Sequence, residues 1–138
     1  MGDYWSLRFR APMSERGLEV ATRLSSPPWP CWADLGEEFA GYAAMPKAIF
    51  IPKGGLSYAP RDWEQACEVV DGRWRVCCSI KIGSPEVGVF LDEVLPRLLA
   101  DQVTVEWWDE TTGTTEIWVV CPSGPRQRVG TWKEAGGG

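Results

Sequence analysis

"CEVVDGRWRVCCSIKI", residues 67–82, holds Asp71-Gly72 between two alternating runs. Asp-Gly accepts the positive φ angles of a tight two-residue turn whose twist matches that of paired strands, so the stretch predicts a β-hairpin. That turn sets Val70 opposite Arg73, Val69 opposite Trp74, Glu68 opposite Arg75 and Cys67 opposite Val76. Period two then places Trp74, Val76, Cys78, Ile80 and Ile82 on one face. Arg73, Arg75, Cys77, Ser79 and Lys81 fall on the other. One face of this sheet is apolar and needs a cover, and the other is charged.

"YWSLRFR" (4–10) alternates in the same way, with Trp5, Leu7 and Phe9 against Ser6, Arg8 and Arg10, and reads as a half-buried strand. "SERGLEVATRLSS" follows as a helix capped by Ser14, with Leu18, Val20, Ala21 and Leu24 as its apolar stripe. Three prolines in "SSPPWPCW" (25–32) stop it. "LGEEFAGYAA" has the length of a short helix, and "KAIFIP" (47–52) reads as a short apolar strand closed by Pro52. "SPEVGVFLDEVLPRLLAD" is a second helix, with Ser84 at its cap and Pro85 in the first turn. Phe90, Leu91, Val94, Leu95 and Leu98 form its buried stripe, and Pro96 interrupts its regular part near Leu95. A last hairpin, "VTVEWWDETTGTTEIWVV" (103–120), leads into a Gly/Pro-rich end.

The order β–α–β–β–β–α–β–β predicts an α+β fold with a single mostly antiparallel sheet and two helices packed on one face. Residues 1–132 form one domain in this reading, and 133–138 form a flexible Gly-rich tail.

Composition narrows the function. The chain of 138 residues contains no histidine, which removes Ser–His and Cys–His pairs, imidazole metal ligation and the commonest general base. Its five cysteines are odd in number and lack CxxC spacing, so neither a disulfide framework nor a zinc site is expected. "Pro52-Lys53-Gly54-Gly55" is superficially like a phosphate loop but lacks the required spacing. No cofactor and no metal are implied, and an enzyme is not expected. Net charge is −5, and residues 86–116 hold eight acids against Arg97 alone, the opposite of a nucleic-acid binder's bias. The first residues lack an apolar signal core and no run approaches a membrane span, so cytoplasmic residence is the expectation.

With Val103, Val105 and Trp107 turned to the helices, Glu106 and Trp108 face outward. Taking Ile117 and Val119 as inward on the return strand sends Glu116 and Trp118 outward too. Asp109 and Glu110 lie at the hairpin tip. Glu106, Trp108, Asp109, Glu110, Glu116 and Trp118 are therefore the candidate partner-binding residues, the carboxylates for charge complementarity and the indoles for buried area. The competing expectation is that residues 25–46 cross this face and bury Trp108 and Trp118 beneath Trp29 and Trp32.

The chain resembles the small immunity proteins of bacterial toxin–immunity systems. The likeness rests on its compact acidic α+β make-up, nine tryptophans, the lack of histidine, and "FLDEVLPRLLADQVTVEWWDE" running from a kinked helix into an acidic strand. The resemblance implies a stoichiometric, non-enzymatic inhibitor that covers a toxin's active site, with carboxylates meeting a basic surface. A small-ligand domain or enzyme with a pocket between the sheet and residues 25–46 is the alternative. A homodimer through the open sheet face is the third reading.

Overall fold

A computed structural model of the chain describes residues 4–81 and 84–133. Six strands form one wholly antiparallel sheet: β1 (Tyr4–Pro12), β2 (Ala66–Val70), β3 (Arg73–Lys81), β4 (Val103–Asp109), β5 (Thr114–Val120) and β6 (Gln127–Lys133), in the order β2-β3-β1-β4-β5-β6. The β2–β3 hairpin has the register its turn demands, Val70 opposite Arg73 and Glu68 opposite Arg75, with Asp71 and Gly72 at φ of 52° and 74°. β1 lies between the two hairpins, antiparallel to both β3 and β4.

The helices share one face. α1 (Glu15–Leu24) starts at Ser14, whose Oγ accepts the Gly17 N–H at 3.0 Å. It buries Val20, Ala21 and Leu24. Gly17 is required there, because a Cβ would run into the Leu98 carbonyl oxygen. Two short helices follow, α2 (Ala40–Ala43) and α3 (Phe50–Lys53), and then α4 (Ser84–Val89). α4 widens into a π turn over Phe90–Val94 and tightens into a 3₁₀ turn over Leu95–Leu98. The interruption falls where Pro96 offers no N–H and crowds the preceding turn. All five residues of the predicted stripe, Phe90, Leu91, Val94, Leu95 and Leu98, are nonetheless buried.

Against these helices the sheet sets Leu7, Phe9 and Ala11, Trp74, Val76, Cys78 and Ile80, and Val103, Val105 and Trp107. Aromatic rings fill the centre: Trp32 meets Phe39, Tyr42, Trp74 and Phe90 at centroid distances of 5.3 to 6.4 Å. Tilted and edge-on rings of this kind add to simple area burial.

Three expectations change. Residues 47–52 are not a strand, because Ile51 has no neighbouring strand to pair with. Its side chain is buried in the core, and its carbonyl accepts the Trp32 indole N–H at 2.6 Å. A sixth strand, β6, lies in the Gly/Pro-rich end after the last hairpin, where the sequence shows no strand because its alternation is hidden by Gly130 and by a bulge at Val129 that breaks the register opposite Ile117 and Trp118. Residues 25–46 lie on the helix face, where Trp32, Leu35, Phe39 and Tyr42 join the core. These side chains fill the space between the segment and the centre of the sheet, and an open cavity of about 570 Å³ lined by Trp29, Pro52, Lys53, Gln65, Ala66 and Cys67 remains at its margin. Ile82, the Ser84 side chain and 134–138, the rest of the expected tail, lie outside the described residues. Among the described residues no helix is long and apolar enough to cross a membrane.

Candidate functional site

The sheet's second face is crossed by three rows of side chains that the register defines. One row runs Ser79, Ser6, Trp108, Thr115, Trp132. The next runs Ala66, Cys77, Arg8, Glu106, Ile117, Gly130. On β2–β3–β1 the third runs Glu68, Arg75, Arg10, with Thr104, Val119 and Gln127 at the corresponding end of β4–β5–β6.

Residues 54–65 roof the first row from Ser79 to Trp108 and part of the second. Ser6 Oγ donates to the Tyr58 carbonyl at 2.7 Å and lies 2.8 Å from Ser79 Oγ, which accepts the Ser57 N–H at 3.1 Å. Gly54 brings the roof so close to β3 that a Cβ would strike the Ser79 carbonyl oxygen. Gly54, after Lys53, thus serves a close backbone approach rather than a phosphate. Trp63 closes the roof over Trp108, Cys77 and Ala66 in a second small core. Burial there pushes the Cys77 thiol up to about 11, against the opposing pull of Arg8 and Arg75.

Beyond the roof the face is open. Arg8 holds Glu106 through two 2.8 Å hydrogen bonds, Nε to Oε1 and Nη2 to Oε2, and lies 4.6 Å from the Trp63 ring centroid. The fork of bonds from Glu106 raises Arg8 above its usual basicity even though burial opposes the charge. Next to it a shallow cavity of about 510 Å³ is lined by Arg8, Arg10, Arg73, Arg75, Thr104 and Glu106, among others. Arg10, Arg73 and Arg75 are exposed. Arg75 reaches exposed Glu68 at 2.8 Å, and among the described residues neither Arg10 nor Arg73 has an ion pair.

The six residues expected to form one surface are divided. Glu106 and Trp108 do share the second face, but Trp108 is only 9% exposed, roofed by Trp63 rather than by Trp29 or Trp32. Glu116 and Trp118 sit on the helix face, a correction to their expected placement. β5 pairs Glu116 with Trp107 and Trp118 with Val105, so the strand is turned by one residue from the assumed phase. There Trp118 donates to Glu116 at 3.0 Å and lies beneath Arg126 at 4.4 Å. Asp109 shapes its own turn, accepting the Thr111 N–H at 2.9 Å, and Glu110 accepts the Tyr4 N–H at 3.1 Å. The arginines were legible in the alternation of β1 and β3. The roof was not, because "GGLSYAPRDW" has neither period nor turn motif.

Among the described residues no three Cys, Asp or Glu side chains gather to hold a metal ion. The chain matches no family model, no curated protein and no solved structure.

Proposed function

We propose that the chain is a non-enzymatic protein-binding domain that acts as a stoichiometric inhibitor of a toxin, as in the immunity proteins its sequence resembles. One observation carries the reading: the sheet's second face is roofed over only part of its extent. The rest leaves exposed arginines beside half-buried Ile117 and Val119. Arginine is enriched at interface hot spots, where its planar fork binds bidentately and its stem adds apolar contact. The exposed edge strand β6, with Trp132 at 51% exposure opposite Thr115, continues that face.

This reading moves the docking residues from the acidic hairpin to the open face. Glu106, Asp109, Glu110 and Glu116 are all engaged inside the fold, so their carboxylates are costly to redirect to a partner.

The test is affinity capture from the native host with the wild-type chain and with Arg10→Glu/Arg73→Glu, followed by co-expression of the captured protein. A stoichiometric partner that is lost with the variant, and that arrests growth unless the wild-type chain is present, is the expected result. A partner retained by the variant would refute the surface. A captured protein harmless on its own would refute the inhibitor role.

A further inference from the structure

The open face has a local charge excess that the remainder of the molecule lacks. Arg10 stands directly opposite Arg75, and Arg73 follows two positions along the same strand. Like charges directly opposite across an antiparallel pair are destabilising. Glu106 is committed to Arg8, and Glu68 reaches only Arg75. Both partners of that second pair are about half exposed, so it is weak and exchangeable. The arrangement stands in a chain whose net charge is −5.

We propose that the groove takes a short acidic segment of the protein partner, its carboxylates bridging Arg10, Arg73 and Arg75. This inference rests on the protein-binding reading above. Guanidinium forks match carboxylates bidentately, and Thr104 and Gln102 at the rim supply neutral hydrogen-bonding groups. The floor is the extended strand β1, which pairs with β3 along the whole groove, and extended backbone sends successive N–H groups to opposite sides. It therefore offers no nest of free amides of the kind that cradles phosphate. A long polyanion such as nucleic acid meets repulsion from the acidic remainder of the molecule, whereas a few carboxylates confined to about 510 Å³ do not. The Arg8–Glu106 pair forms one wall of the groove.

The experiment is titration calorimetry of the full chain at low ionic strength with an octaglutamate peptide, with octalysine and inorganic phosphate as comparison probes. The wild-type chain binds octaglutamate, and Arg10→Gln/Arg73→Gln weakens that binding about tenfold, the scale of two charge-assisted contacts. A control double variant at exposed positions elsewhere, Arg23→Gln/Arg97→Gln, leaves it unchanged. Circular dichroism melts of both doubles confirm the fold. No octaglutamate binding, equal binding by the groove variant, or phosphate displacing the peptide at matched charge each overturns the inference. If the chain still captures its partner in the co-expression assay, only the groove's occupant is wrong. If it captures nothing, the underlying reading fails as well.

Discussion

Trp63→Ala should lift the roof while leaving the main core intact. Trp63 is 7% exposed and closes a cluster of only Ala66, Cys77 and Trp108, with Leu56 and Ala59 at its margin. Truncating a buried aromatic costs about 3–5 kcal/mol. A thin surface layer can collapse partly into the gap, so about 3 kcal/mol is expected here, including the contact with Arg8. The sharper readout is Cys77. Its thiol stands at about 11 instead of the usual 9.0 because burial disfavours the thiolate. Relieving that burial raises the thiolate fraction at pH 8 by up to about a hundredfold, two pKa units, and Arg8 and Arg75 nearby favour the anion further. Alkylation with iodoacetamide and peptide mass mapping reads this directly. Exposed Cys31 serves as the fast reference, and Cys78, buried in the main core, reports wholesale unfolding. Cys77 labelling no faster than in the wild-type chain would refute the roof. Cys77 and Cys78 labelling together would show that the roof and the core are one cooperative unit.

Gly54→Ala should cost about 1–3 kcal/mol in urea unfolding by overpacking the roof against the Ser79 carbonyl, whereas Gly130→Ala, with open space around its Cβ, should be near neutral. Trp118→Ala should destabilise by about 2 kcal/mol, because the ring packs on the helix-side core beneath Arg126, while Trp132→Ala should stay within about 0.5 kcal/mol; equal melting points would contradict the register of β5. Stability should be full below pH 9 and decline as pH rises towards 11, since the unfolded chain releases the Cys77 proton before the folded one does. Cys77→Ala should lessen that decline without abolishing it, because burial also raises Cys78 and Tyr42, whose unfolded forms release their protons from about 9.0 and 10.0 upward.

Where local chemistry decided an element, the sequence was readable. Asp71-Gly72 determined a register, Ser14 a helix start, and the 4–10 alternation a strand with both faces assigned. The α+β class and the shared helix face followed from those pieces. β5 failed for a specific reason: "TTEIWVV" has large residues at both phases, so apolar character could not choose between Ile117/Val119 and Trp118/Val120. Only pairing with β4 across the turn makes that choice. β6 failed because a bulge and a glycine erase its period. Within segment 25–65 the short helix expected over 35–44 is present as helical turns at Glu37–Phe39 and Ala40–Ala43, but the rest was not legible because its structure is tertiary: Trp32 and Ile51 are held by the core, and Ser57 and Tyr58 by Ser6 and Ser79. At the site, the cations were visible but the acids' internal engagements were not, since these depend on residues such as Tyr4 and Arg128 that lie far away in sequence.

The position of β1 bears on how the molecule assembles. The β2–β3 and β4–β5 hairpins are local and can form as soon as their residues are made. β1 joins them, with Tyr4 opposite Lys81 and Trp5 opposite Asp109, so a strand made before both hairpins must wait for one of them. Such long closures slow folding. During that wait the alternating edge of β1 is unpaired, a template for pairing between nascent chains. Folding yield should therefore respond more steeply to the rate of translation through residues 103–109 than to changes of similar stability cost in either hairpin turn.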